Sequence, residues 1–139
     1  MWYYQNKIFE PAEHDYESLA GFVYLITEKE TGMKYVGKKT FWSKRKAPPL
    51  KGKTRRRTII KESDWRSYFG SSEKVQALVE ENGEEAFYRE ILRLCKTKGE
   101  MSYYETKEHF DREVLLRSDY YNGIISCKIN HNHVNHLKK

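Results

Sequence analysis

The sequence predicts an α/β (α+β) domain, a small three-stranded antiparallel sheet flanked by helices. Three observations carry that expectation. Two runs rich in β-branched and aromatic residues, Phe22 to Thr27 and Lys34 to Lys39, flank a turn signal at Thr31-Gly32, the pattern of an antiparallel hairpin. Two stretches with helical start and stop signals follow, one opening at Ser71 or Ser72 and one at Ser102. Hydrophobic residues make up 38% of the 139, enough for one packed core and too many for wholesale disorder. A single domain over residues 1–139 is therefore expected.

Taken in order, residues 1–20 are polar and aromatic, with Pro11 among several carboxylates, and read as a leader lying against the domain. Residues 22–39 form the hairpin. Residues 40–62 hold Pro48-Pro49 and Gly52 among many charges, which excludes a regular helix throughout and reads as a long exposed loop. The first helix runs to about Asn82 and stops at Gly83, with Val75, Leu78 and Val79 at the spacing of one buried face. Phe87 to Leu94 is ambiguous, its aromatic and β-branched members favouring a third strand. Ser102-Tyr103-Tyr104-Glu105 is a capping-box pattern that opens a helix to about Leu116. Tyr120-Tyr121-Asn122-Gly123 is a turn, followed by a short strand from Ile124 to Ile129 and a polar tail over 130–139.

Charge is unevenly divided. The 26 Lys and Arg exceed the 20 Asp and Glu by a formal +6, yet Lys38 to Lys61 hold eleven basic residues and no acidic one. The remainder is net acidic. Aromatic residues lie in and just beyond this window: Phe41, Trp42, Trp65 and Tyr68. Cations can track phosphates while rings stack on bases, so Trp42, Lys44, Lys46, Lys51, Lys53, Arg55, Arg56, Arg57, Lys61, Trp65 and Arg66 are the expected nucleic-acid contacts. A solvated charge run is the plainer reading of the same residues.

Several classes are excluded. No apolar run approaches the ~20 residues of a membrane span, and the first residues lack a signal-peptide pattern. A soluble, cytoplasmic protein with no membrane partner is expected. Cys95 and Cys127 are too few for a disulfide scaffold or a four-thiolate zinc site, and read as reduced and buried. His131, His133 and His136 have no cysteine or carboxylate beside them to complete a zinc site.

The hairpin carries the most specific pattern. Tyr24 and Tyr35 stand eleven positions apart, within Phe22-Val23-Tyr24 and Tyr35-Val36-Gly37. In matching register both phenols point to one face. Gly37 leaves room for a ligand backbone, and Arg45 follows ten positions after Tyr35. Aromatic packing in a hairpin core would use the same residues.

These residues resemble the GIY-YIG nucleases, whose signature is Gly-Ile-Tyr, a short turn and Tyr-Ile-Gly, with an arginine shortly after and a glutamate on a later helix. Phe22 stands at the signature glycine and Val36 at the aliphatic position. The resemblance covers residues 21 to 125. It implies Arg45 as catalytic arginine, Glu105 as metal ligand and Asn122 as a site asparagine. Pro48, Pro49 and the basic run stand where a helix commonly carries the arginine, so Arg55, Arg56 and Arg57 are alternatives for that role. Glu105 is otherwise the capping partner of Ser102, with Glu108 and Glu113 as substitute ligands. The chain looks like the small phage-encoded, stand-alone members related to homing endonucleases, acting in a bacterial host.

The implied activity is hydrolysis of DNA phosphodiesters, as a nick or a double-strand break. It uses one Mg²⁺ or Mn²⁺ per site held by Glu105, with water and phosphate oxygens completing the octahedron. The resemblance implies Tyr24 as base for water and Tyr35 as the group orienting water or phosphate. Lys38 or Lys39 then pairs with phosphate or lowers a phenol pKa. Specificity would come from the loop, the termini, a homodimer or a partner protein. The rival reading is an inactive DNA- or RNA-binding module using the basic loop.

Overall fold

A computed structural model describes residues 1–139. Its strands are β1 (Trp2–Tyr4), β2 (Lys7–Ile8), β3 (Gly21–Glu28), β4 (Lys34–Thr40), β5 (Trp42–Ala47), β6 (Arg57–Glu62) and β7 (Phe87–Cys95). Helix α1 (Glu73–Asn82) lies between β6 and β7, and α2 (Lys98–Asp111) follows β7. The class is mixed α/β as expected, but the main sheet has five strands rather than three, in the order β2-β1-β7-β3-β4.

The expected hairpin forms, with Tyr24 opposite Gly37 and Ile26 opposite Tyr35. The ambiguous segment is β7, antiparallel to β3 with a register shift at Val23/Tyr24 that leaves Leu92 as the extra residue. Such bulges re-aim side chains beside sites. The extra strands come from the first residues, which are more than a leader. β1 pairs in parallel with β7, and Trp2, Phe9 and Leu19 are buried. Their apolar side chains are interleaved with polar ones over runs too short to read as strands.

The expected basic loop is a second sheet, the hairpin β5–β6. Pro48, Pro49 and Gly52 fall in its connection, where Gly52 adopts φ +84°, and none breaks a strand. Helix α1 begins and ends where expected: Ser72 Oγ accepts from the Val75 N–H, and Gly83 closes it at φ +87°. Helix α2 starts earlier than expected. Thr97 caps it by accepting from the Glu100 N–H at 3.0 Å, an upstream Thr-x-x-Glu that outcompetes Ser102. Glu105 is therefore a mid-helix residue and is free of any capping duty. The helix ends at Asp111, and residues 124–129 form no strand.

Two cores result, one on each face of the sheet. Phe22, Tyr24 and Ile26 of β3 pack with Trp2, Phe41, Trp65 and Phe69 on one face. Val23, Leu25 and Val36 pack with Met101 of α2, Cys95 and Val114 on the other. Both cysteines are free as expected, though Cys127 is exposed rather than buried.

Candidate active site

Strand β4 is an edge of the main sheet, and the expected catalytic residues other than Arg45 converge on it from both faces. Alternation puts Tyr35, Gly37 and Lys39 on the face of the aromatic core, and Val36 and Lys38 on the face of α2.

On the aromatic face, the Tyr24 ring lies over Gly37. A Cβ there would come within 2.6 Å of the Tyr24 Cζ and overlap its hydroxyl. The room left by Gly37 is thus filled by Tyr24, not by a ligand backbone. Tyr24 is 1% exposed, 6.3 Å from the Tyr35 ring and 6.0 Å from Tyr68 by centroid. The Tyr35 hydroxyl meets Ser71 Oγ at 2.8 Å. Gly70, at φ +91°, brings its backbone against both tyrosines. Arg89, buried beneath the Trp2 and Phe69 rings, donates to the carbonyls of Arg66 (3.1 Å) and Tyr68 (2.7 Å) and so holds residues 66–70 against the pair. Lys39 stacks over the Tyr68 ring at 4.1 Å and pairs with Asp64 at 2.6 Å.

Burial pushes the Tyr24 phenol well above its ordinary value, and Tyr68, Tyr35 and Glu105 add to the rise. Tyr35 is also raised, first by burial, with Ser71 opposing. Sequence reasoning expected the nearby cations to lower these phenols. The chain by itself does the reverse: burial and then neighbouring groups, Glu105 among them, raise both phenols, which stay neutral.

On the opposite face, α2 presents Glu105 with its side chain 17% exposed and Lys38 Nζ 3.9 Å from Oε1. Lys38 also donates to Ser102 Oγ at 2.7 Å. No hydrogen bond within the chain reaches the Glu105 carboxylate. Burial raises its pKa above the usual carboxylate value, with Lys38 and His109 pulling the other way.

Asn122 joins this side as a clasp. Its Oδ1 accepts from the Val36 N–H at 3.0 Å and its Nδ2 donates to the Val36 carbonyl at 2.8 Å. One step back, Lys34 exchanges backbone bonds with Asp119 and Tyr121. The segment 119–122 thus extends the ladder along β4, with an amide side chain replacing the last peptide group. His109, one helical turn after Glu105, sets Nε2 3.2 Å from the same Val36 carbonyl and leaves its buried Nδ1 without a partner. Sequence reasoning missed His109, Arg89 and the placement of Tyr68. A histidine four residues after Glu105 was a visible signal.

The cationic residues lie outside this cluster. Lys44, Arg45, Lys46, Lys51, Lys53, Arg55, Arg56, Arg57 and Lys61 are all exposed on β5–β6 and its connection. Arg45 shares a face with Ser43, which lines a groove with Lys39, Lys61 and Asp64. It lies two residues further out, about 7 Å along the strand. No arginine hydrogen-bonds to or stacks on Tyr24 or Tyr35. Two expected DNA-facing aromatics have structural duties. Trp65 is 2% exposed, with Nε1 held by Tyr16 and Glu62. Trp42 is half-buried and donates to the Leu19 carbonyl at 2.9 Å. Phe41 is wholly buried. Arg66 pairs with Glu62 at 2.8 Å over the Trp65 ring.

The arrangement joins two neutral phenols, two lysines and a carboxylate free of hydrogen bonds at a sheet edge beside a cationic hairpin. It can donate hydrogen bonds to an anionic substrate and offer one oxygen ligand to a hard cation. A family model described as "Putative endonuclease segE, GIY-YIG domain" matches residues 2–125. No curated protein and no solved structure matches the chain. The match takes in the tyrosine pair, Glu105, Asn122 and the whole basic hairpin, and the chain belongs to the GIY-YIG endonuclease family, in its segE type.

Proposed function

We propose that this chain is a metal-dependent DNA endonuclease that hydrolyses phosphodiester bonds at the β4 edge. The observation that carries the reading is the Glu105 carboxylate. It is largely buried, accepts no hydrogen bond within the chain, and stands at the same edge as the Tyr24–Tyr35 pair. A carboxylate with only the Lys38 ammonium 3.9 Å away and no hydrogen bond fits one hard divalent cation. No cluster of three or more His, Cys, Asp or Glu side chains surrounds it, so Glu105 would be the protein's one carboxylate ligand to Mg²⁺ or Mn²⁺. Such an ion supplies charge stabilisation on the phosphoryl oxygens and acidifies water at neutral pH.

The chain's own groups do the rest. Tyr35 is partly exposed, and its hydroxyl, fixed by Ser71, orients the attacking water or a phosphate oxygen. Tyr24 donates from its fixed place over Gly37, and takes a proton only when positive charge brought to the edge lowers its raised pKa. Lys38 can exchange Ser102 for a phosphate oxygen, and Lys39 can leave Asp64 for the same purpose. Arg45 and the exposed cations of β5–β6 hold the flanking backbone. Asn122 holds β4 in place and acts through it.

One such site cuts one strand. Nicking is the elementary activity, and a double-strand break needs a second copy or a second visit. A phage-encoded, homing-type role in a bacterial cytoplasm, with specificity supplied by the hairpin, a homodimer or a partner protein, completes the reading. The test is incubation of purified protein with plasmid and Mg²⁺ or Mn²⁺, with and without chelator. Cleavage that needs the ion and disappears in Glu105→Gln, while DNA binding persists, supports it. Wild-type binding without any cleavage favours the inactive binding module, and cleavage by Glu105→Gln at the wild-type rate removes Glu105 from the mechanism.

A further inference from the structure

The hairpin β5–β6 has a second face, turned away from Ser43 and Lys61. Trp42, Lys44 and Ile60 of that face line a cavity of about 590 Å³, within the range of small-ligand clefts. Leu19 and Ala20 form another wall, and Lys96 and Lys98, at the start of α2, complete it. Lys44, Lys96 and Lys98 are exposed and none makes an ion pair, while Glu17 is the lone carboxylate of the lining. Ile60 is 59% exposed, an apolar surface on the cationic hairpin. Three unpaired cations around an aromatic and aliphatic floor suit a phosphate with a base packed beside it.

The position of the cavity says which nucleic acid would occupy it. Lys98, Ser102 and Glu105 are four and three residues apart, one face of α2. Seven residues of helix separate Lys98 from Glu105 by about 10 Å, and Lys38 bridges the interval through Ser102 and Glu105. Successive nucleotides of one strand advance about 3.4 Å along a duplex, so about three fit into that distance.

We propose that this cavity is a subsite for the strand being cut, holding a nucleotide about three steps from the scissile phosphodiester. The proposal rests on the nuclease reading for its register, but the binding it describes is measurable without cleavage. Anisotropy of a labelled 20-base-pair duplex in chelator, titrated with salt, reads it directly. Lys96→Gln/Lys98→Gln flattens the slope of log affinity against log salt by up to about 2. Lys7→Gln/Lys29→Gln, which removes the same charge at exposed positions outside this cavity and the proposed active site, leaves the slope unchanged. Equal slopes for both variants and the wild type overturn the subsite.

The register is tested on substrates truncated from a mapped cut. Extending one side from two nucleotides to four raises wild-type kcat/KM about tenfold, and Lys96→Gln/Lys98→Gln loses that advantage. A length advantage kept by the variant, or lacking in a wild type that cleaves, refutes the placement. If the wild type cleaves nothing yet the variant still changes the slope, the nuclease reading fails and the binding site stands.

Discussion

Replacing Gly37 by alanine puts the tyrosine pair to a direct test. The added Cβ would sit within 2.6 Å of the Tyr24 Cζ and overlap the hydroxyl. That phenol is 1% exposed, enclosed by Tyr68, Tyr35 and the backbone of Gly70, so it cannot swing clear. Overpacking of this kind costs about 1–3 kcal/mol. A displacement of about 1 Å in a positioned catalytic group costs on the order of 10²-fold in rate. Urea denaturation and a plasmid-nicking assay measure the two effects. Tyr24→Phe removes the overlapping oxygen but keeps Cζ, so Gly37→Ala/Tyr24→Phe recovers only part of the lost stability, a coupling read by the double-mutant cycle. Activity is not recovered, because the hydroxyl is gone. A Gly37→Ala protein as stable and as active as wild type, or a cycle without coupling, would refute the geometry and the role given to Tyr24.

Glu105 must be ionised to hold a cation, and burial raises its pKa. Mn²⁺ affinity therefore falls with acidification at a higher pH than for an ordinary carboxylate. Calorimetry that shows undiminished affinity below the usual glutamate range counts against Glu105 as ligand. Asn122→Ala leaves the buried Val36 N–H without a partner, while His109 Nε2 still faces the Val36 carbonyl. At about 1–3 kcal/mol for the one unsatisfied group, urea unfolding should show a loss in that range, and a loss below about 0.5 kcal/mol would deny the clasp. Arg55→Gln/Arg56→Gln/Arg57→Gln flattens the salt slope of DNA affinity by up to about 3, and a salt-independent wild-type affinity in filter binding would remove the hairpin from DNA contact.

The tyrosine hairpin is legible because β-branched and aromatic runs and a Thr-Gly turn act within eighteen residues. The charged strands β5 and β6 are not, since they bury little: Trp42 and Ala47 are the anchors, and Arg45 and Lys46 give no apolar alternation. The start of α2 was misplaced because Thr97 and Ser102 both open a Thr/Ser-x-x-Glu pattern, and local sequence does not rank two caps. Trp65 looks DNA-facing from its neighbours in the chain, whereas in the fold it is buried with Nε1 held by Tyr16 and Glu62. The Asn122 clasp spans 86 positions to Val36, a contact that only the folded sheet brings together.

The phenols belong to one core, the helix that carries the carboxylate packs on the other, and the sheet lies between them. Strand β4 therefore works as an axle between two separately packed bodies, and the angle at which they meet sets the gap in which a phosphodiester must fit. A substitution deep in either core, far from any reacting atom, can turn that axle by a few degrees. Evolution thus has two independent sets of buried residues with which to tune alignment without touching the catalytic side chains. The Asn122 clasp and the Leu92 bulge, one on each side of the hairpin, are where such rotation is held in check.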